Sequence, residues 1–296
     1  MYTLLAHAKG YDGVLSVGRV QTPILGLVVA RDRTHEGHQK QAFYTVTAVV
    51  DLPDYPATGR SAMTLKGVYQ PGDDAPLDEK GRIIDGAFAQ GVVDAVKGQD
   101  ACLVSVETKD RELAAPLPYN LLALQADAAG LWRYRPKQVL ETTQRLRDRY
   151  QAITYNRSDC RYLNDERHAA AAELLAALAG AFGRDAADAA DADPQRKGKA
   201  FNSAKVGAHH AIIPTANVPE LNALPEPERN LYDLIVRSYL AQFYPPEQYR
   251  STHALFQANG HCFVSRGRVD VAAGWRSLYS LKSGGDRPKM RRSDGV

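Results

Sequence analysis

Tyr155 and Arg157 stand two positions apart in Ile153-Thr154-Tyr155-Asn156-Arg157-Ser158-Asp159, a β-prone segment led by apolar residues. If the segment is extended, the two side chains project to the same side. A phenol ionises only near pH ~10 and is a poor nucleophile at neutral pH, and a fixed guanidinium beside it favours the ionised form and pairs with a phosphodiester oxygen. The pair suits attack on a nucleic-acid phosphate. The same residues also fit an ordinary strand, with the tyrosine packed on its apolar side and the arginine in water.

Two further clusters carry polar groups at useful spacings. Ser16-Val17-Gly18-Arg19-Val20-Gln21-Thr22-Pro23 runs into the apolar Ile24-Leu25-Gly26-Leu27-Val28-Val29, which predicts a helix with Thr22 as N-cap and Pro23 at its first position. Ser16, Gly18, Arg19 and Gln21 then gather at a helix start, where free backbone N–H groups favour anions; a plain cap and turn is the alternative. In Ala208-His209-His210-Ala211-Ile212-Ile213-Pro214-Thr215 the adjacent histidines point in different directions, with no carboxylate or cysteine at ligand spacing, so a metal site is not indicated. One histidine can instead donate a hydrogen bond to a transferred phosphate or its leaving group, and Lys205 adds a cation nearby. A capped loop with one packed and one exposed histidine accounts for the pair equally well. Asp191-Ala192-Asp193 has the form of a metal-binding DxD, but it lies in low-complexity sequence before Pro194-Gln195-Arg196-Lys197-Gly198-Lys199 and reads as a solvated loop.

The 296 residues leave room for two or more packed units. Hydrophobic residues make up 44% and charged residues 24%, with no apolar run near the roughly 18 residues that span a bilayer. The first residues lack the marks of a signal peptide, so the expected location is cytoplasmic, with no membrane partner. The three cysteines, Cys102, Cys160 and Cys262, form no CxxC pair, which argues against a disulfide framework or a zinc site. A net charge of +3 permits a polyanionic partner without requiring one.

Alternation predicts strands over 43–50 and 101–108, and again over 252–264 and 269–275. Helices are expected around 86–96, from Tyr119 onward, from Pro136 into the Tyr155 segment, over 168–182 and over 231–243. A new domain is expected to open near 116, at Pro116-Leu117-Pro118. The basic, Gly- and Pro-containing stretch 281–296 has no core-forming pattern and is expected to be a disordered tail.

Three of these segments, in order, resemble signatures of the type IA DNA topoisomerases, the topoisomerase III branch in particular. Residues 16–23 are similar to that family's SVGRVQTP, residues 153–163 to ITYPRSDCRYL around its nucleophilic tyrosine, and residues 208–215 to AHHAIIPT. Pro116-Leu117-Pro118-Tyr119-Asn120-Leu121, Leu124-Gln125 and Gly274-Trp275 support the resemblance, which covers about residues 1–280. Asn156 stands where this branch usually has proline, and its side chain is expected to face away from Tyr155 and Arg157.

The resemblance implies an α+β multidomain fold, helical segments plus a β-rich arch, from the toroid and gate of the family. Residues 1–37 would belong to the helical DNA-cradling domain, 38–115 with 250–280 to the arch, and 116–249 to the tyrosine-bearing helical domain, with hinges near 115 and 250. It implies that Tyr155 forms a 5′-phosphotyrosine link to single-stranded DNA, with Arg157 on the scissile phosphate and His209 hydrogen-bonding in the same site. Ser16, Gly18, Arg19, Gln21 and Lys205 would contact the strand. Strand passage and religation would need no ATP. Mg²⁺ is expected for the complete enzyme, with its ligands and a glutamate acid/base on a Toprim domain that no segment here resembles; the end of the gate domain is also unmatched. The chain alone is therefore expected to be incomplete for turnover, with a separate Toprim polypeptide as a partner. The alternative is a non-catalytic single-stranded DNA-binding module in which Tyr155 stacks on a base.

Overall fold

The computed structural model describes residues 2–15, 18–52, 63–181 and 192–279. It is a mixed α and antiparallel-β chain divided into two compact units, residues 1–104 with 255–265 and residues 105–254 with 266–296. Among the described residues five strands, β1 (Thr47–Leu52), β2 (Met63–Tyr69), β3 (Ala101–Leu113), β4 (Glu247–Ala258) and β5 (His261–Ala272), run in the order β1-β2-β5-β4-β3. The unit boundaries fall inside the three long strands. The expected basic tail lies outside the described residues.

In the first unit β1 and β2 pair antiparallel from Thr47↔Val68 to Leu52↔Met63, and β2 continues onto β5 at Val68↔Val264 and Tyr69↔Phe263. Helix α1 (Tyr2–His7) comes first in the chain, followed by α2 (Gln21–Glu36). Helix α3 (Gly86–Val96) starts where Asp85 caps the Ala87 and Phe88 amides, and it buries Ala89 and Val92 against Val46, Ile83, Phe256 and Phe263. The turn between β4 and β5 is Asn259-Gly260, with φ of 44° and 80°. Left-handed backbone at both positions is what a two-residue hairpin demands. It places the chain reversal inside 252–264, where alternation alone predicts an unbroken strand.

Helix α2 begins at Gln21 with Val20 as N-cap, two residues earlier than Thr22 capping predicts. The Thr22 amide already donates to Gly18 O at 3.2 Å, and its hydroxyl accepts from the Gly18 amide at 3.2 Å, so the threonine closes the first turn instead of preceding it. No side chain of α2 is buried; Ile24, Leu25, Leu27 and Val28 are all exposed.

The second unit is built on α4 (Leu121–Trp132), α5 (Pro136–Asp148), α6 (Asp165–Ala169), α7 (Ala171–Ala181) and α8 (Glu226–Leu240). The expected 168–182 helix is broken at Ala170 into α6 and α7. The expected 231–243 helix starts earlier, behind Pro225, and its last three residues tighten into a 3₁₀ turn. Asn120 caps α4 through the Ala123 amide at 2.8 Å, and Pro136 opens α5. The faces that meet carry Leu124 and Ala128, Val139 and Leu146, and Leu231, Ile235 and Tyr239, all within one core. Between α5 and α8, Arg145 Nε donates to Glu228 Oε1 at 2.6 Å; the carboxylate is 5% exposed and the guanidinium 47%.

That asymmetry gives a stability prediction. Arg145→Met strands a buried carboxylate, whereas Glu228→Gln leaves an arginine that water can reach. Chemical denaturation followed by circular dichroism should show the arginine variant losing about 2–3 kcal/mol and the glutamate variant about 1 kcal/mol. Equal losses would contradict this reading.

Candidate active site

Ile153 forms an isolated antiparallel bridge with Pro214, and the ladder around it joins two distant segments. The Thr154 amide donates to Ile213 O at 3.0 Å, the Thr215 amide to Ala152 O at 2.9 Å, and the Ile213 amide to Thr154 Oγ1 at 3.0 Å. Ala152, Ile153, Ile212 and Ile213 are buried behind this ladder. Two further segments lock on through the Ile212 amide to Tyr119 O at 2.8 Å and the Ala211 amide to Tyr162 O at 2.9 Å. Arg161 reaches back to the carbonyls of Pro118 and Leu117 at 2.9 and 2.5 Å.

Extended backbone stops at the bridge. Asn156 and Arg157 form a turn, so the strand geometry expected for Tyr155 and Arg157 does not hold. The reason lies in the asparagine. Its side chain is fully buried and donates to Thr143 Oγ1 at 3.2 Å and Gln144 Oε1 at 3.3 Å on α5, which bends the chain towards the helix. Tyr155 is left half-buried, and Arg157 is exposed with no hydrogen-bond or ion-pair partner among the described residues. A guanidinium in that state is available to an anion.

The ladder brings His209 to Tyr155, with ring centroids 4.1 Å apart and planes tilted by 35°. Arg147, in the last turn of α5, places its Cζ 5.0 Å from the centroid of the same ring, within cation–π range. Sequence reading missed Arg147. Its only signal was the basic run Arg145, Arg147 and Arg149, and only the tertiary path shows which of the three turns to the tyrosine. Beside these rings, Tyr155, Asn164, Gly207, His209 and His210 border an open cavity of about 150 Å³. The Oδ1 atom of Asn164 is buried without a partner.

Lys205 closes a 3₁₀ turn and is engaged elsewhere: its Nζ donates to Tyr162 Oη at 3.4 Å and lies 4.9 Å from that ring's centroid. Gly18, Arg19 and Gln21 stand at the start of α2 in the other unit, with Arg19 exposed, and Ser16 lies outside the described residues. Asp193 accepts from the Gln195 amide at 2.9 Å, an ordinary turn contact, while Asp191 lies outside the described residues. Among the described residues no three His, Cys, Asp or Glu side chains converge on one point, and no helix is long and apolar enough to cross a membrane.

A family model described as DNA topoisomerase matches residues 2–294. DNA topoisomerase 3 of Vibrio cholerae is 40% identical over 280 residues, covering 94% of this chain and 42% of that protein. The Haemophilus influenzae protein of the same name is 38% identical over 286 residues, covering 94% and 43%. The chain thus spans less than half the length of these relatives. The full-length topoisomerase I from Thermotoga maritima has the same fold over 94% of this chain and 43% of that one, with a TM-score of 0.59 at 19% identity.

Two predictions concern the site's scaffold. Asn156→Ala removes one buried and one half-buried hydrogen bond and should cost about 1–2 kcal/mol in chemical denaturation; no loss would mean that the asparagine does not hold the turn. Burial holds the His210 imidazole below its ordinary pKa, and the bond from Nδ1 to Ala211 O at 2.7 Å only partly opposes this. The folded state then favours the neutral ring, so the unfolded chain binds the extra proton as pH falls through about 6.5, and stability drops below that pH. His210→Gln should flatten this part of the stability profile, and an unchanged profile would remove the histidine from it.

Proposed function

From a chain that belongs to the type IA DNA topoisomerase family, we propose that Tyr155 is the nucleophile that cuts single-stranded DNA, with Arg157 and His209 as its immediate helpers. The observation that carries this is the tyrosine itself: half-buried at a cavity mouth, against His209 and Arg147, with an arginine two positions on whose side chain has no partner among the described residues. A tyrosine with only a structural role would bury its ring and satisfy the neighbouring charge.

In the reaction the Tyr155 oxygen bonds to phosphorus and the P–O3′ bond breaks, giving a 5′-phosphotyrosine and a free 3′-hydroxyl. The phenolic proton is removed and O3′ gains a proton. Arg157 holds the non-bridging oxygens, where negative charge builds, and His209 donates a hydrogen bond in the same place. The ring contacts from His209 and Arg147 limit where the phenol points. Religation reverses the exchange, and because the ester bond is kept, ATP is not consumed.

The family implies Mg²⁺, but the described residues do not offer it a ligand set, and it enters none of these steps. We propose that the proton carrier and that ion come from a Toprim domain, and that the described residues bind DNA but turn over poorly without it. Gly18, Arg19 and Gln21 at the α2 start are proposed strand contacts, as is Lys205. Residues 38–115 with 250–280 are proposed as the arch that opens the gate, hinged near 115 and 250.

The substrate assignment is tested by fluorescence anisotropy with a short labelled oligothymidylate. Wild-type chain should bind in a salt-sensitive way, and Arg157→Gln should weaken binding and lower the log–log salt slope by about 0.7. Tyr155→Phe should bind within about twofold of wild type, because it keeps the aromatic face. Absence of binding at low salt would overturn the assignment.

A further inference from the structure

We infer that a second cavity in the tyrosine-bearing unit, bounded by Glu112–Ala115, Arg196–Lys199 and Ala241–Pro246, binds one nucleotide of single-stranded DNA at a place separate from the Tyr155 cavity. The space is about 400 Å³, within the ~300–1,000 Å³ typical of small-ligand pockets. Its lining shares no residue with the cavity beside Tyr155.

One wall is the basic loop that follows Asp191-Ala192-Asp193 in the sequence. Lys197 is neutralised by Asp165, Nζ to Oδ1 at 2.6 Å. The side chains of Arg196 and Lys199 are exposed and have no hydrogen-bond or ion-pair partner among the described residues. Two unneutralised cations beside a cavity favour an anion, and the arginine fork matches a phosphate. The loop is also held in place. The Asp193 amide donates to Phe243 O at 3.1 Å, and His168 Nε2 lies 3.1 Å from Arg196 O, to which it donates. Gly198 lies so close to the 3₁₀ turn that a Cβ there would sit 2.7 Å from the Gln242 carbonyl oxygen, so no other residue fits without moving the loop.

The opposite chemistry sits on the 3₁₀ turn that packs against this loop. The Gln242 side chain is 1% exposed. Its Nε2 donates to Pro116 O at 2.7 Å and Ser238 O at 3.1 Å, which leaves Oε1 as an acceptor without a donor, next to Gly198. A buried acceptor in that state costs stability unless something donates to it. Glu112 adds a carboxylate that already accepts from Gln248 at 2.9 Å. Ala114, Ala115 and Pro246 supply apolar surface. A bare phosphate would use the cations and leave the acceptors and apolar wall idle. A nucleotide uses all three, since every base carries an N–H donor on its Watson–Crick edge. Only the source of the nucleotide, a DNA strand, rests on the proposed substrate.

The test titrates the full chain with inorganic phosphate, thymidine monophosphate and a short oligothymidylate, following the Gln242 side-chain amide by ¹⁵N NMR. Thymidine monophosphate should shift that amide and bind more tightly than phosphate, and the oligothymidylate more tightly still. The double variant Arg196→Gln/Lys199→Gln should lose about tenfold or more for both nucleotide probes with an unchanged thermal midpoint. Phosphate binding as well as the nucleotide, or a double variant that binds like wild type, overturns the site. A monomer that binds at least as well as the oligomer overturns the strand as its source. If no oligonucleotide binds anywhere on the chain, the proposed substrate fails, and the monophosphate titration still decides whether the pocket exists.

Discussion

The short ladder between residues 152–154 and 211–215 is the constraint on which the site depends. Two backbone bonds and the paired Thr154 hydroxyl hold the tyrosine segment to the histidine segment. Burial of Ile153, Ile212 and Ile213 stabilises the same contact, at about 1.5–3 kcal/mol per fully buried side chain against about 1 kcal/mol per net hydrogen bond. Apolar burial therefore dominates, and the hydrogen bonds set the register. Once the register is set, Tyr155 and His209 meet without either being bonded to the other.

The contacts among the functional groups are weaker by design of the chemistry. A ring pair contributes about 0.5–1.5 kcal/mol and a partly exposed cation over a ring about 0.5–1 kcal/mol. A substrate phosphate can displace such contacts at little cost, which suits the nucleophile proposed for Tyr155. The rigid part is one residue further on, where Asn156 is fixed to α5 by two bonds to buried or half-buried partners. A stiff backbone and loosely held side chains thus occupy adjacent positions, and the arginine that follows is left to the solvent.

Much of this was legible in the chain. The three motifs identified the family and marked Tyr155, Arg157 and His209, and helical periodicity found α3 and α4, which have an apolar face and a side-chain cap, and α5, which has an apolar face opened by Pro136. Alternation misled in two places. At Asn156 it predicted an extended residue, where a buried amide in place of proline bends the chain. Over 252–264 it concealed a reversal that the Asn259-Gly260 pair does signal. Arg147 was not legible at all, since its relation to Tyr155 exists only after α5 packs against the ladder. Arg196 and Lys199 were not singled out for a similar reason: the cavity beside them is made by Gln242 and the 112–115 segment, which are remote in sequence.

The central claim is that Tyr155 attacks a DNA phosphate. It is tested most directly by mixing the chain with a Toprim-containing polypeptide and single-stranded DNA, quenching with denaturant, and digesting for mass spectrometry. The account predicts a nucleotide linked through its 5′-phosphate to the peptide that contains Tyr155, and no such adduct from Tyr155→Phe. An adduct on another residue, or none under conditions where both components bind the DNA, would contradict it.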